Sequence, residues 1–345
     1  GEWVCDVAVN ATRSHPSVWR LIADLGLEDD FSQSNPAARR RWIYLDGKQH
    51  QLSWKTGLKI GLLRLRRSLL NARKGGRSVA EVLPHEQIAN AMTLGIVNDV
   101  AANVDADFLF PSMTKFGIDP PVKWSKIKKE IRKTYPLFTP EKGSVASLVG
   151  GMKTLIDTLH STLEKMSNVS LRTGFHASSP EAVASEFNQP QSSIIWTVPS
   201  GKKGSSTSLS IYAIGYRSED VSHVKVGYGT LIPDERIPIS GILHESDVHS
   251  SQRAPKGNRM FRLMIPHSRW KGDPAEILET AKNLISHSEP VMFEHIGDRE
   301  IPSYLPGYMA SISTEHYPYV RAGWGFSGVS ITHVISEAER LADLL

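Results

Sequence analysis

The sequence predicts a mixed α/β fold, with helices and strands interspersed along the chain. Three observations carry that expectation. Residues 152–166 read as a helix, with Leu155, Leu159, Leu163 and Met166 on one stripe at helical spacing. Short β-rich runs dominate residues 209–265. The chain closes on a strand-like stretch, 317–322, then Gly323-Trp324-Gly325-Phe326-Ser327-Gly328, then a helix over 329–345. That last helix places Ile331, Val334, Ala338, Leu341 and Leu345 on one face.

With 345 residues and 40% apolar content, the chain can bury a large core and form two or three domains. Cys5 is the single cysteine, which excludes an internal disulfide and a cysteine-based metal site. No apolar run nears the roughly 20 residues of a membrane-spanning helix. No secretory or transit peptide pattern is visible. The formal charge of +4 is unevenly spread: between Arg39 and Arg77, twelve Lys/Arg stand against one acid, Asp46. Such a basic block predicts an anionic surface or ligand. Nucleic acid is the weaker expectation, because only Trp54 interleaves the charges between Lys48 and Arg77.

In chain order, residues 18–27 read as a helix stopped by Gly26. Residues 42–52 read as a hairpin turning at Asp46-Gly47. Residues 54–70 form a basic amphipathic segment, with Trp54, Leu58, Leu62, Leu65 and Leu69 at helical spacing. Such a segment suits a membrane interface or a solvated basic face. Residues 78–117 are mostly helical by composition, and 123–133 read as a solvated helix face. After the helix at 152–166, strands are expected at 169–177 and, fully apolar, at 193–198. A flexible loop at 201–208 leads to strands at 209–216, 224–232, 260–265 and 291–296, with a helix at 274–285.

The spacing Gly323, Gly325, Gly328 ahead of a helix lets backbone N–H groups meet a phosphate, with the Ser330 hydroxyl as a further donor. The same residues also suit a plain turn packing a terminal helix on a sheet. Gly150-Gly151, at the entrance of helix 152–166, offers backbone N–H groups in the same way. The histidines of His244-Glu245-Ser246-Asp247-Val248-His249 are five apart rather than four, so no metal site is expected. No Gly-x-Ser-x-Gly elbow supports serine hydrolysis.

Several stretches in order resemble protoporphyrinogen oxidase, within the FAD-dependent amine oxidase group. Gly328-Val329-Ser330-Ile331 and Ile335-Ser336-Glu337-Ala338-Glu339-Arg340 resemble the family's closing Gly-Val-Ser-Val and Ile-Glu-Ser-Gly-Arg. Ile301-Pro302-Ser303-Tyr304-Leu305-Pro306-Gly307-Tyr308 is similar to its Ile-Pro-Gln-Tyr-x-x-Gly-His. Leu148-Val149-Gly150-Gly151-Met152-Lys153-Thr154-Leu155 is similar to its Leu-x-Gly-Gly-Met-x-x-Leu. Arg41-Trp42-Ile43-Tyr44-Leu45-Asp46-Gly47 resembles its Arg-Phe-Ile-Tyr-x-x-Gly. Residues 1–345 lack the family's opening strand and glycine loop, and Arg13 alone stands near its Glu-Leu-Gly-Pro-Arg.

The resemblance implies a Rossmann-like FAD domain built from discontinuous segments and incomplete at its start. Its segments would be 1–15, 137–200 and 318–345. A helix and hairpin at 16–54 join it to a mixed-sheet substrate domain at 201–317, and 55–136 is a basic, helical, membrane-associated domain. FAD is the implied cofactor, contacted by Gly323, Gly325, Gly328, Val329, Ser330, Gly150, Gly151 and, through an adenine-binding strand, Ala177. Arg13 is the implied ligand of a substrate propionate. The implied reaction oxidises protoporphyrinogen IX to protoporphyrin IX with oxygen in heme biosynthesis. It implies a peripheral place on the mitochondrial inner membrane through 39–77, and a homodimer. The alternative is a non-catalytic paralogue that binds a porphyrin or a protein partner without FAD.

Overall fold

The computed structural model describes residues 3–53, 62–111, 114, 135–141, 143–199, 205–270 and 272–344. Residues 54–61 of the basic amphipathic segment, the basic run at 123–133 and positions 201–204 of the expected loop lie outside the described residues.

The first third begins with β1 (Thr12–Arg13), α1 (Pro16–Asp24) and β2 (Phe31–Gln33). The hairpin β3 (Arg41–Leu45) and β4 (Lys48–Leu52) follows. Its turn residues Asp46 and Gly47 both take positive φ, 50° and 74°, as a two-residue hairpin of this twist requires. Next come α2 (Leu62–Ala72), α3 (Val79–Val82), α4 (Glu86–Val97) and α5 (Ala106–Leu109). Ser78 and Glu81 cap α3 reciprocally, each side chain meeting the other's backbone N–H.

The middle holds β5 (Val145–Leu148), α6 (Lys153–Lys165), α7 (Pro180–Glu186), β6 (Ile195–Trp196) and β7 (Ser205–Arg217). Then follow β8 (Gly229–Leu231), β9 (Gly241–Leu243), α8 (Glu245–Val248), β10 (Asn258–Pro266), α9 (Pro274–Leu284) and β11 (Met292–Ser303). The chain closes with α10 (Tyr308–Ser313), β12 (Val320–Arg321), α11 (Trp324–Ser327) and α12 (Ile331–Ala342).

Three sheets organise these elements. A seven-stranded sheet runs β11-β7-β10-β9-β8-β3-β4, antiparallel except where β3 meets β8. A three-stranded antiparallel sheet runs β1-β5-β2. A short parallel pair joins β12 to β6. One face of the large sheet packs on α9 through Tyr212, Ile214, Phe261, Leu263 and Ile277. A second core joins α1, β5 and α6 around Trp19 and Leu148, with Ile331 and Ile335 of α12 against it. A third gathers α3, α4 and α5 with Tyr304, Tyr308 and Trp324. Among the described residues no helix is long and apolar enough to cross a membrane.

Four expectations are corrected. Residues 169–177 form no strand; Leu171 and Phe175 are exposed, and no described strand lies alongside to pair them. The apolar run at 193–198 yields only a two-residue strand, and Ile195 is 49% exposed because its sheet has one neighbour. The final helix is rotated from its expected face. Ala338 is exposed and Ile335 faces the core, because Glu339 is drawn to Arg20 and Ser17 of α1. The 323–328 hexad is not a single loop, because its middle residues wind into the helical turn α11.

Candidate functional site

The closing glycines are shaped first by packing. Gly323 and Gly328 adopt φ of 98° and 118°, which a side chain would strain. A Cβ on Gly328 would stand 2.8 Å from His333 Nδ1, 2.9 Å from Pro111 and 3.2 Å from the Phe108 carbonyl. A Cβ on Gly325 would meet the Tyr304 hydroxyl at 3.2 Å. Tyr308 donates its hydroxyl to the Gly325 carbonyl at 2.8 Å and stacks on Tyr304 at 3.6 Å. The motifs at 301–308 and 323–328, far apart in sequence, are therefore one packed unit. Trp324 belongs to it, 6.0 Å from Tyr304.

Gly328 releases the chain into the amino end of α12. Val329 N–H donates to the Phe108 carbonyl at 3.4 Å, and the Ser330 hydroxyl accepts from His333 N–H at 3.3 Å. Among the described residues, the Ser330, Ile331 and Thr332 N–H groups have no hydrogen-bond partner. Free amides at a helix start attract an anion.

Cationic side chains gather around that helix end. Thr332 Oγ1 lies 3.2 Å from Thr12 Oγ1, which brings β1 and Arg13 against α12. Arg13 retains exposed area, yet desolvation, followed by the like charge of Arg41, lowers its guanidinium pKa. Arg41 lies over the Tyr228 ring at 4.8 Å. Burial, then the charges of Arg13 and His15, push His333 down to about 4. Its Nδ1 is buried without a hydrogen-bond partner among the described residues. The α12 start therefore has the guanidinium of Arg13 beside it, Arg41 next to that, and amides left without a partner among the described residues. A phosphate or carboxylate group fits that donor set.

Gly150 and Gly151 turn the chain into α6, with φ of 78° and 97°. The space beside them is filled from within the protein. Asp6 Oδ1 accepts the Met152 N–H at 2.8 Å and stands 2.5 Å from where a Gly151 Cβ would lie. Asp6 Oδ2 pairs with the buried Arg253 at 3.3 Å. Burial raises the Asp6 pKa, against the opposing pull of Arg253 and the Met152 amide. Residues 3–8 are strapped down further: Val4 N–H donates to the Arg253 carbonyl, and Arg262 donates to the Ala8 carbonyl at 2.8 Å. Beneath them, burial alone would raise the Glu245 carboxyl, but Arg262, His249 and Arg253 hold it below its ordinary range.

Of the residues singled out from sequence, Gly328, Val329, Ser330 and Arg13 lie at the α12 end, while Gly323 and Gly325 sit at the α11 turn against Thr197 and Tyr304. Gly150 and Gly151 sit at the separate α6 end, under Asp6. Ala177 lies in the irregular stretch between α6 and α7 rather than on a strand. His333, His15 and Arg41 were not anticipated as site residues. Position 333 carries one legible signal, since it lies three residues beyond the Ser330 cap and therefore faces the same turn.

No family model matches the chain, and no curated protein matches it in sequence. Solved structures do. One is described as "Putative protoporphyrinogen oxidase from Exiguobacterium sp. 255-15", with 11% identity and a TM-score of 0.60 over 99% of this chain and 88% of that one. Reduced UDP-galactopyranose mutase gives 14% identity and 0.60 over 100% and 86%. Cyclohexylamine oxidase from Brevibacterium oxydans IH-35A gives 12% identity and 0.57 over 99% and 90%. The chain has the mixed α/β fold that these proteins share.

Proposed function

We propose that this chain is a flavin-dependent oxidoreductase. The finer reading is a protoporphyrinogen oxidase-like protein that oxidises protoporphyrinogen IX to protoporphyrin IX with oxygen. The observation that carries it is the amino end of α12, where the Ser330, Ile331 and Thr332 N–H groups have no hydrogen-bond partner among the described residues and β1 brings Arg13 alongside. The shared fold and the collinear motifs support the same reading.

FAD, when bound, would supply the hydride acceptor. The Gly328-Val329-Ser330 turn and the first α12 amides would hold it, and close packing of Gly325 on Tyr304 and Tyr308 would fix the turn. Arg13 would orient the substrate by charge-assisted hydrogen bonds to a propionate. The basic surface of α2, where Arg64 and Arg67 are exposed, supports peripheral contact with an anionic membrane. A place on the mitochondrial inner membrane and a homodimer belong to the same proposal.

One observation favours a second reading, a porphyrin- or protein-binding paralogue without FAD. The Asp6 carboxylate already occupies the Gly150-Gly151 turn, where a phosphate would be repelled. Turnover separates the two. The chain saturated with FAD is mixed with protoporphyrinogen IX in air, and porphyrin fluorescence is followed. Fluorescence rising well above the buffer rate supports the enzyme. The buffer rate alone, with porphyrin still bound, leaves the second reading.

A further inference from the structure

A cavity of about 510 Å³ opens on the face of the large sheet opposite the strap at residues 3–8. Its floor is apolar: Ile232, Ile242, Phe261 and Tyr44 come from the sheet and its connections. Its rim is the carboxyl end of α9 and the turn beyond it, from Lys282 to Ser288, with His223 against that turn. That volume lies in the range of small-ligand sites.

The lining carries the Lys282 ammonium together with the imidazoles of His223, His244 and His287, and among the described residues no carboxylate lines it. Lys282 pairs with Glu289 outside the lining, but Glu289 is 77% exposed, so that pair is weak. His223 Nε2 lies 2.8 Å from the Ile285 carbonyl, just beyond the end of α9.

His244 points to the chemistry. It is 2% exposed, and its Nδ1 lies 3.2 Å from Asp247 Oδ2. Asp247 is fixed in turn by Arg259 at 2.8 Å and by the Gly227 N–H. Nε2 is then the ring's remaining polar atom, and among the described residues it has no hydrogen-bond partner. A buried imidazole held by a carboxylate on one nitrogen presents the other to a ligand. A ligand carboxyl group would hydrogen-bond at Nε2, with Asp247 holding the ring from Nδ1.

We propose that this cavity binds a small organic carboxylate with an aromatic or branched apolar body, the carboxylate meeting His244 and Lys282 and the body lying on Ile242 and Phe261. The site shares no lining residue with the α12 end.

Calorimetric titration of the full chain with phenylacetate and its neutral counterpart phenylacetamide tests this. Phenylacetate is expected to bind saturably at one site, and phenylacetamide at least tenfold more weakly. Lys282→Met should weaken phenylacetate about tenfold, the loss of one charge-assisted contact. Ser288→Trp, at the half-buried rim, should abolish binding while circular dichroism stays native. In histidine-labelled protein, the Nε2 resonance absent from a His244→Gln variant should shift on adding phenylacetate. Absence of saturable binding, equal affinity for acid and amide, or an unmoved His244 resonance overturns the proposal.

Discussion

Asp6 Oδ1 accepts the Met152 backbone N–H at 2.8 Å, which puts a carboxylate from the start of the chain onto the amino end of α6. The Gly150-Gly151 turn is therefore already neutralised by the protein. Of the helix starts the sequence suggested, the amino end of α12 keeps amides without a partner among the described residues.

Asp6 also answers Arg253, whose side chain is fully buried. Removing one partner of such a pair leaves a buried charge uncompensated. Asp6→Ala should lower unfolding free energy by about 3 kcal/mol or more. Asp6→Asn, which keeps an acceptor for Met152, should cost less. Urea titration of both variants checks this, and equal midpoints for Asp6→Ala and wild type would refute the strap as a stabilising element.

Gly328 has the tightest requirement of the three closing glycines. Its backbone is strained for any side chain, and a Cβ would press on His333, Pro111 and the Phe108 carbonyl. Gly328→Ala should cost about 3 kcal/mol, from backbone strain and overpacking together. Gly257→Ala, at φ 83° with nothing within 4 Å, should cost only about 1–2 kcal/mol of conformational strain. The difference between the two melting temperatures is the readout.

His333 has a depressed folded pKa of about 4, against an ordinary value of 6.5. The unfolded chain thus takes up a proton that the folded chain refuses. Stability should be full above pH 6.5 and fall as the pH drops toward 4. The loss has an upper limit of about 3 kcal/mol, at about 1.4 kcal/mol per pH unit. His333→Gln should flatten that stretch of the profile, seen by urea titrations at several pH values. An anion bound at α12 should raise the His333 pKa and reduce the loss.

On the proposed function, Arg13 would hold a substrate propionate. Arg13→Met should weaken binding of a propionate-bearing porphyrin by about 10- to 100-fold, the range for charge-assisted hydrogen bonds. A porphyrin lacking propionates should bind the variant and the wild type alike. Absorbance titrations with the two porphyrins make the comparison.

The elements legible in sequence are those whose stabilising contacts are local. The hairpin at β3–β4 follows from Asp46-Gly47, and α6 and α9 follow from apolar spacing. Long β7 and β10 announce themselves by β-branched and aromatic content. Positions that depend on distant partners were not legible. The stretch at 169–177 has strand-like composition but no neighbour, and β1, β2, β5 and β9 are too short to show a period. At the site, the glycines of the α12 turn stand out in sequence because their spacing is unusual. Asp6 does not, since nothing local to it shows that it will reach Met152, 146 positions away. Nor do His15 and Arg41, whose roles arise only when β1, β3 and α12 converge.

If the α12 amino end holds a flavin dinucleotide, titrating FAD with the purified chain should give saturable quenching of flavin fluorescence at one FAD per chain, weakened at least tenfold by Gly328→Ala. Flavin fluorescence that stays at its free level across the titration would rule out flavin binding there.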